Sequence, residues 1–299
     1  MIDICDCDVK EKEKLALFRL KRSEWVQCLI KDTFSISKQI SNMLWNDTVF
    51  RTINEARKLT AKEGSKAIGF NGPLLELFDQ GYVTTQVMAI RRLTDPTFYD
   101  PKRAVISLPQ LVDDMRQYGD LITRENYICF DGLAFEGVTH EKEGINWMHW
   151  NRMHENFDKL SGFSKTKRQR TDKIHPNIFN SLSRELKSCE GLRTYANKFV
   201  AHASDTRNRV GLTEQQRRIT LQRLDESYKA IIRVASFVGA VVLYEHSLGE
   251  VPVPQFNPLK NLDKPMVSKE HLSNLHSYWR DRVKEVGSWD NELWEIFMT

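Results

Sequence analysis

This sequence predicts an all-α protein, a bundle of about five or six helices with small appendages. Three observations predict it. Apolar residues recur every three to five positions through most of the chain, the period of a helix with one face on a core. Helix-start signals (Ser107-Leu-Pro-Gln110, Pro176, Thr213-Glu-Gln-Gln216) stand ahead of those periodic runs. Strand-like residues flanking a turn are confined to one short stretch near residue 130. At 299 residues, 40% of them apolar and 28% charged, the chain has the composition of a folded protein and can bury a sizeable core.

Taken in order, residues 1–14 are charged and aperiodic and read as a flexible N-terminus. From about Leu15 to Asn46, Leu20, Trp25, Leu29, Phe34, Ile36, Ile40 and Leu44 mark a first helix and its core face. A second is expected from about Thr48 to Lys62. A third runs from about Pro73 to Leu93, with Leu74, Leu77, Phe78, Tyr82, Val83, Val87 and Ile90 inward and Pro96 stopping it. Ser107 opens another, through about Tyr118. Tyr127-Ile-Cys-Phe130 and Leu133-Ala-Phe135 bracket Asp131-Gly132, which predicts a small β-hairpin insertion over about 124–140. Lys165–Lys173 is a basic loop. Pro176 then opens a long helix through about Ala203, and Thr213 caps the last major helix, to about His246. The bundle thus spans 15–247. Residues 248–299 form a C-terminal extension, an aperiodic Pro-containing run followed by a short helix from about Lys269 to Glu285.

Composition narrows the function classes. A formal net charge of +4 does not mark a dedicated DNA-binding protein. The five cysteines, Cys5, Cys7, Cys28, Cys129 and Cys189, are odd in number and scattered, which predicts free thiols in a reducing compartment, the cytoplasm. The first residues lack the apolar core of a signal peptide. The longest apolar stretch, Ala230–Tyr244, carries Arg233 and is too short to span a bilayer, so no membrane is expected. No metal or cofactor is expected either. Cys5-Asp-Cys7 has no second ligand pair. His149 with His154, and His271 with His276, stand five apart, which turns the second imidazole away from the first.

Gly-rich phosphate loops, His-Glu-x-x-His and Gly-x-Ser-x-Gly are all absent. The chemistry gathers instead in Leu192–Ala203. His202 stands at the expected helix end, with Lys198 one turn earlier and Tyr195 one turn before that. Ala201 and Ala203 leave room around the imidazole. Arg184, Lys187, Arg193, Arg207 and Arg209 make the neighbourhood basic.

The run Asn197-Lys-Phe-Val-Ala-His202 resembles the end of the signature helix in HEPN-domain proteins, in particular the AbiU-like abortive-infection subgroup. Gln86-Val-Met-Ala-Ile-Arg-Arg-Leu-Thr-Asp95 and Ser107-Leu-Pro109 resemble the same subgroup, in the same order. The similarity covers roughly residues 15–247. It implies a HEPN-like bundle, a homodimer with one composite site, and metal-independent endoribonuclease activity on RNA such as tRNA or mRNA. The setting it implies is bacterial antiphage defence or a toxin–antitoxin pair, with an antitoxin protein as a further partner. The family motif is an arginine, a polar residue, then a histidine after a gap of four to six residues. Here the matching positions are Ala196, Asn197 and His202, so the arginine is missing.

The resemblance makes His202 the general base or acid and Asn197 the group that orients or binds phosphate, with Ala196 where a guanidinium belongs. Lys198, Arg193, Tyr195, Arg91 and Arg92 are the expected RNA-binding residues. Histidine titrates nearest neutrality, and arginine offers phosphate a rigid fork where lysine offers a point charge. Without the fork, cleavage is expected to be weak or nil. Ala196 is then either an inactivating substitution of a toxic parent or a natural degeneracy. The alternative function is a non-catalytic RNA- or protein-binding module on the same basic face. Arg91-Arg92 with Asp95 has two readings, a helix-end salt bridge or a contact to RNA or a second protomer. Arg168 and Arg170 ahead of His175 also satisfy the motif spacing, in a loop where the match reads as coincidence.

Overall fold

The computed structural model describes residues 8–62, 72–96, 105–136, 144–201, 213–246 and 268–287, with isolated positions from 248 to 264. Among these residues every regular element is helical, and one β-bridge, Thr123 to Lys173, stands alone. The predicted all-α class is the observed class. The chain divides into two compact units, Met1–Pro252 and Val253–Thr299. No helix among the described residues is long and apolar enough to cross a membrane.

The first unit runs α1 (Lys12–Val26), α2 (Ile36–Lys62), α3 (Gly72–Leu93), α4 (Leu108–Gln117), α5 (Arg124–Cys129), α6 (Gly144–Ser161), α7 (Asn177–Leu186), α8 (Glu190–Tyr195), α9 (Glu214–Arg217) and α10 (Leu221–Ser236). Helix α3 is the axis of the arrangement. Helices α2, α8 and α10 pack on it, and Val87, Ile90 and Leu93 lose all their exposed surface there. Each such side chain contributes roughly 1.5–3 kcal/mol, which fixes α8 beside the last turns of α3. Three helices end in wide turns closed by i→i+5 bonds. Asp32 N–H donates to the Gln27 carbonyl (2.9 Å), Ala201 N–H to Ala196 (2.8 Å), and Leu243 N–H to Val238 (2.9 Å). Each wide turn adds a residue and rotates the next positions around the helix axis. In the last of them Gly239 is obligatory, because a Cβ there would stand 2.6 Å from the His246 carbonyl oxygen.

Several boundaries differ from expectation, each for a local reason. The first helix breaks at 32–35 rather than near Asn46. The Asp32 carboxylate accepts the Phe34 N–H (2.7 Å), and buried Ser35 accepts the Lys38 N–H (3.4 Å) as the cap of α2. Phe34, expected in the core, falls in this break and is exposed; Leu20 on α1 and Leu74 and Leu77 on α3, also expected in the core, are exposed too. The hairpin is overturned over its described part: Arg124–Cys129 is helix α5. Thr123 caps it by accepting the Asn126 N–H (3.3 Å), and Arg124, Tyr127 and Ile128 are all buried. Asp131-Gly132 does form a turn, with Gly132 at φ 95°, but the chain enters it from a helix. A short apolar run bounded by polar residues fits either element, and capping decides. Residues 137–140 lie outside the described residues. The long helix from Pro176 is α7, a tight turn at Lys187–Cys189, α8 and the wide turn Ala196–Val200. Thr220 rather than Thr213 caps the last helix, accepting the Arg223 N–H at 3.3 Å. Of the N-terminus, residues 8–14 are tied down: Val9 is buried, and Lys10 N–H donates to Glu125 (3.2 Å).

The expected cap at Ser107 is present. Its hydroxyl accepts the Gln110 N–H (3.3 Å) and donates to the Asp95 carbonyl (2.9 Å), lashing the start of α4 to the end of α3. The basic loop is also bound down. Arg168 pairs with Asp158 (2.7 Å), and Arg170 pairs with Glu125 (2.6 Å) and Glu136 (2.7 Å). Beneath it Arg124, with no exposed surface, meets Asp172 (2.8 Å) and Asp158 (2.9 Å). In the second unit α11 (Leu272–Gly287), preceded by a single turn at Lys269–His271, occupies the place expected for a short helix.

Candidate functional site

Two segments build the site, the last turns of α3 and the α8 helix with its wide turn. Leu192 and Ala196, four residues apart, face the core and hold α8 in place; Ala196 has no exposed surface. That spacing leaves Arg193 and Asn197, also four apart, half-buried on an adjoining face. On α3, burial of Ile90 and Leu93 leaves Arg91 half-buried at the flank of the same contact.

The two flanks meet. Arg91 Nε donates to Asn197 Oδ1 at 2.5 Å, and Arg193 Nη1 donates to the Thr94 carbonyl at 3.2 Å. Arg193 Nη2 is bonded to Glu190 as well, so both of its ends are held. Half-buried Asp95 feels both guanidiniums. Burial raises its carboxyl pKa, and the opposing pull of Arg91 and Arg193 only partly offsets that rise. Arg91 and Arg92 stand in the last turn of α3, where cations complement the helix dipole, but among the described residues none of Arg91, Arg92 and Arg193 forms an ion pair with Asp95, so the helix-end salt bridge is not made. The bond from Arg91 orients the Asn197 amide with Oδ1 towards the guanidinium and Nδ2 left as a donor.

The structure therefore gathers Arg91, Arg193 and Asn197. Lys198 is half-buried on the wide turn, and Tyr195 packs against Phe199 with ring centroids 4.9 Å apart. Arg92 is exposed. His202 lies outside the described residues. Ala196 lies in the core, where a guanidinium would enter apolar packing rather than reach Asn197. The approach of Arg91 to Asn197, 106 positions apart, had no signal in the sequence beyond the burial pattern of α3.

Other chemistry is sparse. Among the described residues no cluster of three or more His, Cys, Asp or Glu could hold a metal. Cys28, Cys129 and Cys189 are free thiols, and burial pushes Cys28 and Cys129 up to about 12, far from a nucleophilic thiolate. Cys5 and Cys7 lie outside the described residues. His149 contacts Asp131 (3.3 Å), whereas His154 is buried with neither ring nitrogen partnered among the described residues. An open groove of about 780 Å³ has Leu182, Val234 and Phe237 in its wall and the Arg233–Glu185 pair at its rim. Compared with known proteins, the chain matches no family model, and no curated protein or solved structure gives a significant match.

Proposed function

We propose that this chain is a HEPN-like RNA-binding bundle acting as a metal-independent endoribonuclease, as a homodimer, in antiphage defence or a toxin–antitoxin pair. The observation that supports it most is the Arg91–Asn197 contact, which sets a cation on the polar residue of the motif. In the reaction, His202 takes the proton of a ribose 2′-hydroxyl as its oxygen attacks phosphorus. The P–O5′ bond then breaks, and the departing oxygen takes a proton, leaving a 2′,3′-cyclic phosphate and a 5′-hydroxyl. Asn197 Nδ2 donates to a phosphate oxygen and holds it for in-line attack.

The test is incubation of the full chain with a tRNA pool in EDTA. Cleavage with cyclic phosphate ends is expected, slowed roughly a hundred-fold or more in His202→Ala. Cleavage that EDTA abolishes, or that His202→Ala leaves untouched, would remove the mechanism. The second reading, a non-catalytic RNA-binding module, is favoured by the alanine at 196. RNA binding without cleavage at any protein concentration would select it.

A further inference from the structure

The motif helix lacks its arginine, and the fold explains why position 196 does not carry one. Ala196 is the first residue of the wide turn, and its methyl group is wholly inside the core. A side chain at 196 here packs the bundle; it cannot present charge to a ligand. Nearby cations differ in what they have left to offer. Arg193 is held at both ends, by the Thr94 carbonyl and by Glu190. Arg91 is held by one atom only among the described residues, its Nε, on Asn197. That bond leaves the Nη1–Nη2 edge without an ion pair or hydrogen bond to any described residue. The guanidinium is planar, so fixing Nε fixes the direction of that edge. Asn197 Nδ2, turned away from Arg91 by the same bond, is a further donor beside it. Asp95, close enough to feel Arg91, forms no ion pair with it among the described residues, so the Nη edge is not occupied by that carboxylate.

We propose that Arg91, reaching across from α3, supplies the forked cation that the motif helix lacks, its Nη edge gripping the RNA phosphate beside Asn197. This rests on the ribonuclease reading above for its catalytic consequence, and on the geometry alone for phosphate binding. Arg91 then acts in the transition state as an arginine at the motif position would, drawing the charge that develops on the phosphate oxygens. The chain as it stands is in this reading an active nuclease, not a disabled one. The Asn197 contact preorganises the fork, so little side-chain freedom is lost when phosphate arrives.

The experiment compares the full chain with Arg91→Gln, Arg91→Lys and, as an exposed cation on a different helix, Arg152→Gln. Circular dichroism first establishes that each is folded. Two quantities are read: single-turnover cleavage of the tRNA pool in EDTA, and the slope of log affinity against log salt for the same RNA. Arg91→Gln is expected to lose roughly a hundred- to a thousand-fold in cleavage rate, and to reduce the salt slope by about one. Arg91→Lys keeps the slope and still loses most of the cleavage, because a point charge cannot replace the fork. Arg152→Gln changes neither. If the native chain cuts RNA and Arg91→Gln cuts equally fast, Arg91 is not the cation, while the ribonuclease reading stands. If the native chain binds RNA without cutting it and Arg91→Gln still lowers the slope, the phosphate contact stands and the ribonuclease reading falls. An unchanged slope in Arg91→Gln, or no RNA binding by the native chain, overturns the proposal.

Discussion

Two arginine clusters in this fold look alike in sequence and differ in what meets them. Around the basic loop, Arg124, Arg168 and Arg170 face Asp158, Asp172, Glu125, Glu136 and Asp8, three cations among five carboxylates. At the end of α3, Arg91 meets a neutral amide, Asn197, and Asp95 stays unpaired among the described residues. In the first cluster positive charge is consumed in holding elements together: the loop to α6, α5 to the N-terminus. In the second, Arg193 is paired with Glu190, while Arg91 is positioned on Asn197 without an ion pair among the described residues. A basic run is therefore weak grounds for nucleic-acid binding until its counter-charges are counted. Buried ion pairs of the first kind add little net stability when intact and cost much when half removed.

Arg124→Met leaves Asp172 buried and short of its partner, and is expected to cost roughly 3–5 kcal/mol in urea unfolding. A loss under about 1 kcal/mol would show that the carboxylates find other partners or water, and that the cluster is not structural.

Next in size is Ala196→Arg. The methyl group is wholly buried, so the new side chain must displace core packing or drag charge into it, at roughly 2–4 kcal/mol. The expected outcome is a lower unfolding midpoint with no gain in cleavage per folded molecule. Greater cleavage at unchanged stability would instead show that a guanidinium at 196 can reach the site.

The first cluster also sets the charge state of a buried histidine. Burial, then Arg168 and Arg124, depress the His154 pKa from 6.5 to about 4. The unfolded chain therefore binds this proton first as pH falls. Between pH 6.5 and about 4 the unfolded state carries more protons, so stability rises with pH through that window and is lost as pH falls through it. The effect is roughly 1–3 kcal/mol. In His154→Leu the dependence should flatten across that interval, measured by urea midpoints at a series of pH values. The remaining acid sensitivity, from Asp158 held below its ordinary 3.8, should lie lower. A native protein whose midpoint is flat from pH 6.5 to 4 would mean that His154 is not held neutral by burial.

How much of the fold is legible in the sequence depends on the range of the forces involved. Period and capping act over a few residues, so α3, the Ser107 cap and the helix after Lys269 can be read. Breaks inside a periodic run cannot, because Asp32 and Ser35 are ordinary polar residues until one sees that they cap. The hairpin expectation fails because Tyr127-Ile-Cys-Phe130 satisfies either period; the Thr123 cap is a local signal that the Asp131-Gly132 turn outweighed, and the burial of Arg124 is tertiary. The loop arginines cannot be assigned from sequence because their carboxylates come from elsewhere, Glu125 lying 45 positions from Arg170. The candidate site is half visible. Asn197 stands out by resemblance, whereas the sequence around Arg91 favours a helix-end salt bridge over a ligand contact. Its bond to Asn197 belongs to the packing of α8 on α3.

The division of labour between the two clusters is tested by setting one arginine from each side by side. Arg170→Gln and Arg91→Gln are each measured for thermal unfolding midpoint and for the salt slope of RNA binding, at a temperature where both are folded. A double dissociation is expected. Arg170→Gln lowers the midpoint and leaves the slope unchanged, since its charge is spent on Glu125 and Glu136. Arg91→Gln changes stability by about 1 kcal/mol or less, one part-exposed hydrogen bond, and lowers the slope by about one. A slope that falls in Arg170→Gln and holds in Arg91→Gln would contradict it.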